Sequence, residues 1–315
     1  MDSNNCDLIF LRPQFHNKIW GGRSLQKEFG YRIPDGPVGE CWAISAHNAG
    51  DCRIIGGEFD SMRLSYIYQH NPEVFGDIDY PEFPLLIKYL DAADDLSIQV
   101  HPDDAYAQEV EKVASGKQEC WYILDAKPGA TIIVGQNAHD KKEFQTYVNS
   151  ADWKELLHEI PIEKGDFFQI DPGTVHAIKA GTLVLEIQQA CDITYRVYDY
   201  NRPQKDGTLR ELHLKQSMDV IDFDKKVQTK PDHPQIIPGQ VTNLVRCDNY
   251  SVDILSVDKS YKLENTHPFI CVDVLQGAGK VFGHYVSKGD NFIVPHMMEN
   301  LTFEGDLVCA LSYIK

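Results

Sequence analysis

Short runs of apolar or alternating residues, each closed off by Gly, Pro, Asp or Asn, recur along most of this chain and constrain its fold more than any other feature. Residues 85–89, 97–100, 120–124, 131–134, 167–170 and 183–187 are of this kind. Runs of that length between turn formers read as strands. Their spacing fits an all-β barrel or sandwich better than a βαβ sheet. Helical patterning is confined to a few segments. Residues 61–70 form one. Residues 103–115 follow Pro102 and place acids in the first turn, where the helix dipole favours them. Residues 140–159 read as two short helices around Trp153, and residues 209–223 carry an apolar stripe of Leu212, Leu214, Met218, Val220 and Ile221.

The 315 residues suggest about two domains. The Pro-rich, polar segment 225–240 is the best linker, and a second strand-rich stretch, 241–315, follows it. A faint repeat links the two parts. KGDFFQIDPGTVH (164–176) and KGDNFIVPHMMEN (288–300) share Lys-Gly-Asp, a buried strand and then Pro, a sequence of elements that recurs in cupin barrels. The run Gly277-Ala278-Gly279-Lys280-Val281 reads as another strand-turn of this type. The fold expected is therefore mainly β, two cupin-type (double-stranded β-helix) barrels with a few short helices. Residues 1–240 would form a catalytic barrel. Residues 241–315 would form a second, metal-free barrel that can share strands with the N-terminal part. The repeats differ where His176, four residues after Pro172, is matched by Glu299 in the second copy.

Asp and Glu outnumber Lys and Arg by 47 to 30, a formal charge of −17. Nucleic acids and anionic membranes need a basic surface, so neither is an expected partner. A small anionic substrate is still permitted, since a few local cations can hold one. No apolar run approaches the ~20 residues that span a bilayer, and the acidic, polar start lacks the pattern of a signal peptide. The eight cysteines, Cys6 among them, are scattered without a C-x-x-C pair. Reduced thiols and a cytoplasmic location are the expectation.

The densest polar cluster in a strand context is SIQVHPDD (97–104). Alternate residues of a strand share a face, so Ser97, Gln99 and His101 point one way and Ile98 and Val100 the other. Eighteen residues after His101, GKQECWYIL puts Lys117 and Glu119 on one face. Facing inward, both need a partner, a metal or a ligand. His176 follows a Pro-Gly turn. Taken singly, these are a satisfied buried histidine, an exposed ion pair and a surface histidine. Taken together, two His, one Glu and Gln99 make a set that suits zinc or iron with room for water.

IWGGRSL (19–25), GECWAIS (39–45), FPLLIKYLDAADDLSIQVHPDD (83–104), GKQECWYIL (116–124), GTVHAI (173–178) and DITYRVYD (192–199) occur in that order. In these motifs the chain resembles the type I mannose-6-phosphate isomerases, also called phosphomannose isomerases, in their short bacterial form. The resemblance implies a zinc-dependent cupin enzyme that interconverts mannose 6-phosphate and fructose 6-phosphate, with one zinc per chain. It carries the metal ligands onto His101, Glu119 and His176, with Gln99 as the fourth, and the arginine of the active-site signature onto Arg196. It carries pocket lysines onto Lys88 and Lys117, and a pocket carboxylate onto Glu186. The long helical insertion of larger family members is missing; only residues 209–223 could represent it.

Aldose–ketose isomerisation of this kind moves a proton between C2 and C1 and needs a base and an electrophile. Glu186 is the candidate base. Lys117 and Arg196 are candidates for stabilising negative charge, and Lys88, Lys117, Arg196 and Ser97 for holding the sugar phosphate. Trp20, Trp42, Trp121 and Trp153 read as core or pocket wall. Two other readings are an iron-dependent cupin oxidoreductase and a non-catalytic sugar-phosphate-binding cupin. The cations near the pocket disfavour the first, and the complete ligand set disfavours the second.

Overall fold

A run that is apolar at successive positions is stable as a strand only where both faces of its sheet are covered. The computed structural model describes residues 7–315, so Cys6 lies outside the described residues. Leu85–Ala92 and Thr182–Gln189 lie side by side in register, with every residue buried. They form the middle of a six-stranded antiparallel sheet ordered Phe167–Ile170, Glu119–Ala126, Thr182–Gln189, Leu85–Ala92, Gln14–Gly22, Val38–Ile44. One face packs on a five-stranded sheet ordered Tyr195–Tyr198, Ile98–Val100, His176–Ile178, Thr131–Gln136, Leu157–Pro161. Trp121, Ile123, Phe168 and Val184 of the first sheet meet Ile132, Val134 and Ile178 of the second in that core. The opposite face of the six-stranded sheet, with Leu85, Ile87, Tyr89, Leu185 and Ile187, packs on Ile254, Cys271, Ile293 and Ala310.

Those last residues belong to an eight-stranded sheet. Its path runs Gln240–Arg246, Ser251–Glu264, Asn300–Tyr313, Ile270–Val281, Asn291–Val294, Ile9–Arg12, Arg53–Ile55, and His284–Ser287 pairs on Ile270–Val281. Two strands from the first sixty residues thus complete the C-terminal sheet.

The repeat is structural. Gly165 and Gly289 both have φ +96°. Asp166 accepts a hydrogen bond from Glu163 N and Asp290 from Ser287 N, each at 2.7 Å. Gly165 N donates to Ile123 O, and Gly289 N to Val274 O. Strand registers then match Ile170 with Glu119 in one barrel and Val294 with Ile270 in the other. The second barrel therefore has Ile270 where the first has Glu119. The strand that begins at His176 is matched by one that begins at Asn300, not at the expected Glu299.

Several elements depart from expectation. The helix expected over 61–70 is Leu64–His70, because Ser61 sits in the left-handed region. Residues 103–115 form only the turn Asp104–Tyr106 and the wide π-type turn Ala107–Glu111, closed at Lys112 by a left-handed residue. Val110 and Val113 are exposed, so this segment has no apolar stripe to bury. Lys141–Ser150 and Trp153–Leu156 are helices, but Leu157–Pro161 is a strand. Residues 209–223 shrink to the helix Leu214–Val220, since Leu209 and Leu212 face solvent. The Gly277 run lies inside the strand Ile270–Val281, and its turn falls at Phe282–Gly283. Residues 225–240 are not a free linker. Asp232 bridges to Phe167, His233 bonds Asp166 at 2.8 Å, and Lys225 donates to Pro172 O, so the segment straps the edge strand Phe167–Ile170.

A φ near +96° is unfavourable for any residue with a Cβ, so Gly165→Ala and Gly289→Ala should each destabilise the protein by about 1–3 kcal/mol. Urea unfolding of each variant, read as a midpoint shift, measures the cost.

Candidate active site

The two faces of the barrel bring the polar residues together. Cross-strand register lines up Trp42, Lys88, Glu186 and Trp121 in one row across four strands of the six-stranded sheet. Glu119 stands one row away, opposite Gln188. From the facing sheet, His176 is paired with Gln99. Ile98 and Val100 pack into the outer core, so the expected alternation holds. Ser97 is buried just ahead of that strand.

His101, Glu119 and His176 are all at most 1% exposed. The two Nε2 atoms are 3.1 Å apart. Glu119 lies 3.5 Å from His101 Nε2 and 3.4 Å from His176 Nε2. The Gln99 side-chain amide is 3.3 Å from His176 Nε2. Each ring is oriented by its other nitrogen: His101 Nδ1 donates to Ile193 O and His176 Nδ1 to Thr174 O, both at 2.9 Å. Both Nε2 atoms then present lone pairs to one another. Burial, Lys117 and the neighbouring His176 hold His101 well below the usual histidine range, and burial lowers His176 to about 4, so both rings are neutral.

Lys117 Nζ is 2.7 Å from Glu119 Oε2 and 3.1 Å from His101 Nε2. Even so, neither fully buried oxygen of Glu119 accepts a hydrogen bond. Two imidazole lone pairs and an unsatisfied carboxylate converging in a buried space fit a divalent cation, with the Nδ1 bonds fixing the ligating tautomer. Among the described residues one other group has suitable spacing: Glu163, Asp166 and His233. Two of its members are exposed, and Asp166 is committed to its turn.

Lys88, 2% exposed, lies 3.0 Å from Asp192 and 3.5 Å from Glu186, with its ammonium 5.0 Å from the centre of the Trp42 ring. Burial opposes its charge, but Asp192, Glu186 and Glu40 outweigh that and raise its pKa. Glu186 also accepts from Trp121 Nε1 at 3.1 Å. Burial and then Glu119 raise its proton affinity, only partly offset by Lys117 and Lys88. Trp42 and Trp121 are thus pocket wall.

Arg196 is paired with Gln99 across the sheet, but its contacts lead away from Lys88. Its Nη1 donates to Glu211 O at 2.8 Å, and it borders a cluster in which Arg202 and Arg210 both grip Asp199. The Nε atoms of Arg196 and Arg202 are buried without an acceptor. Sequence reasoning missed Glu40, Asp192 and Arg202. Glu40 pairs with Lys18 at 2.9 Å and accepts from Trp42 Nε1 at 2.8 Å. A carboxylate inside the otherwise apolar strand Val38–Ile44 was the available signal, and Asp192 stands at the head of the DITYRVYD motif.

Residues 8–146 match the family model for the phosphomannose isomerase type I catalytic domain, and residues 240–314 that for the mannose-6-phosphate isomerase cupin domain. The mannose-6-phosphate isomerase ManA of Bacillus subtilis is 41% identical over 97% of this chain and 98% of its own length. The chain belongs to the type I phosphomannose isomerase family. A mannose-6-phosphate isomerase of Streptococcus mutans is 42% identical with the same coverage. The crystal structure of mannose 6-phosphate isomerase from Bacillus subtilis superimposes with a TM-score of 0.93 at 39% identity, covering 98% of this chain and 99% of that one. A variant of phosphomannose isomerase from Salmonella typhimurium gives 0.77 over 98% of each chain or more, but at 14% identity it supports the fold alone. No helix of the described residues in this family member is long and apolar enough to cross a membrane.

Elemental analysis of extensively dialysed protein should give close to one divalent metal per chain. His101→Ala and Glu119→Ala should each lose it, whereas His233→Ala should keep it. A second tightly held equivalent would contradict this, because Ile270 and Asn300 replace two ligands in the second barrel.

Proposed function

We propose that this isomerase interconverts mannose 6-phosphate and fructose 6-phosphate by moving a proton between C2 and C1 through an enediol. The buried His101–Glu119–His176 group beside the Glu186–Lys88 pair carries this reading. It is supported by the relatives named mannose-6-phosphate isomerase, which match the chain almost end to end. Zinc is the metal proposed, one per chain, held by His101, Glu119 and His176, with Gln99 turning its amide oxygen inward as the fourth ligand. When bound, it supplies a Lewis acid that polarises the substrate's oxygens.

The protein groups do the rest. Glu186, buried and with raised proton affinity, takes the C2 proton, exchanges it with water in part of the turnovers, and delivers a proton to C1. Lys117 stays charged, since Glu119 and Glu186 outweigh the effect of burial, and offsets negative charge developing on the oxygens. Lys88, fixed between Glu186 and Asp192, keeps the base oriented and offers its ammonium to the sugar. Ser97, on the face of Gln99, adds a hydroxyl. The phosphate fits the cluster around Arg196, where Arg202 and Arg210 share Asp199 and Arg202 also reaches the more exposed Asp94. Two buried Nε–H groups without acceptors suit an anion there. All seven described cysteines are free, which supports a cytoplasmic site of action for this sugar-phosphate enzyme.

A coupled assay on mannose 6-phosphate, with metal analysis of the same sample, tests the reading; inactivity of the metal-replete protein would refute it. Arg196→Ala should keep its metal and lose about 30-fold or more in turnover, equivalent to about 2–5 kcal/mol for a lost charge-assisted contact. Full activity in that variant would remove Arg196 from the site.

Conversion in deuterated water distinguishes proton transfer from a hydride shift. The product should carry solvent deuterium at the transferred position, and Glu186→Gln should slow labelling and turnover together while keeping the metal. Isomerisation without any label would point to hydride shift or fully shielded transfer, and an active Glu186→Gln enzyme would assign the base elsewhere.

A further inference from the structure

The strand Ile270–Val281 turns Cys271, Asp273 and Leu275 towards the core shared with the six-stranded sheet, and Asp273 is 0% exposed there. The groups that face it come from four elements. Tyr89 comes from Leu85–Ala92, Cys41 from Val38–Ile44, and Asn291 and Cys309 from the neighbouring strands. Cys271 is on its own strand. Tyr31, in the loop after the helix Ser24–Phe29, closes the group through Asn291. Asp290, which acts on Tyr31, is tied into its own turn by Ser287 N. No lysine, arginine or histidine is among them.

The hydrogen bonds have a direction. Tyr31 donates to Gly289 O at 2.6 Å. Asn291 Nδ2 donates to Tyr31 Oη at 3.1 Å and to Gly289 O at 2.9 Å. Asn291 Oδ1 therefore needs a donor, and the group within reach is the Tyr89 hydroxyl at 3.1 Å. Tyr89 has one proton. Once it is given to Asn291, its oxygen can only accept, and the atom beside it is Asp273 Oδ1 at 3.4 Å. The other oxygen, Oδ2, has no partner at all. A carboxylate here would be a buried anion without a donor, which is very costly. A carboxylic acid completes the chain, donating its proton to Tyr89.

We infer that Asp273 is a neutral carboxylic acid in the native fold, heading a chain of hydrogen bonds that laces the eight-stranded sheet to the back of the strand bearing Lys88, and that its ionisation loosens this seam. Burial, the dominant cause, pushes the carboxyl up to about 7. Its folded value is thus above the unfolded one, so the native state holds the extra proton between them. The resulting stability is full below the unfolded value, near 4, and is lost as pH rises towards 7.

The test is thermal or urea unfolding of the metal-loaded enzyme and of Asp273→Asn, whose side chain stays neutral and still donates. The unfolding constant of the parent relative to the variant should rise roughly 10- to 100-fold between about pH 5 and pH 8. A ratio that does not change with pH overturns the inference. Infrared spectra of the parent give a second readout that does not depend on the variant folding. A protonated-carboxyl band should be present at about pH 5.5, persist in Glu186→Gln, and titrate away around neutrality. Its absence at the lower pH would show the group already ionised and would equally overturn the inference, whatever the outcome of the isomerase assay.

Discussion

Everything in this molecule depends on one sheet being covered on both faces. Because Leu85–Ala92 and Thr182–Gln189 have protein on either side, each successive side chain serves a different core. Odd-numbered residues from Leu85 to Tyr89 enter the seam with the C-terminal sheet, and Lys88 enters the barrel. In such a sheet a polar side chain has no water to fall back on, so it must be matched by other groups. Lys88 is matched by two carboxylates and an indole ring, and Glu186 by an ammonium and an indole N–H. These partners hold the side chains in place before any substrate arrives, and fixed charge in a dry site is where enzymes gain most of their electrostatic advantage.

The second barrel shows the same turn and strand register with different side chains at two of the three cluster positions. Gly165 and Gly289 share their backbone geometry, yet Ile270 and Asn300 stand where Glu119 and His176 stand in the first copy. The barrel is maintained by its packing, with Val272, Phe292, Phe303 and Leu311 filling its interior. Its sheet backs the six-stranded sheet that carries the polar row.

What could be read in the residues follows physical lines. Strand alternation around Gln99 and the inward-facing Lys117 and Glu119 were legible because a period of two is local. That His101, Glu119 and His176 converge was not, since the three come from different strands and only the family motifs tied them together. Helical patterns over 103–115 and 209–223 were too generous, because apolar residues at Val110 and Leu209 are spaced for a helix but have nothing to pack against. Composition made 225–240 look like a linker. Its prolines and polar side chains instead suit a strap that covers an edge strand, where regular pairing would invite another chain. Arg202 and Asp192 went unnoticed because charged residues in loops are ordinary until a fold places them against a buried partner.

The first strand, Ile9–Arg12, has its place between Asn291–Val294 and Arg53–Ile55. A ribosome releases the N-terminus long before the residues it must pair with. Until Ile270–Val281, Asn291–Val294 and Asn300–Tyr313 are in place, the six-stranded sheet has one apolar face uncovered and Ile9–Arg12 lacks its C-terminal neighbour. The barrel that holds the His101–Glu119–His176 group and the C-terminal sheet therefore depend on each other for burial. Exposed apolar faces of this kind make partly folded chains prone to aggregate, so losing the C-terminal sheet would uncover the back of the strand that bears Lys88.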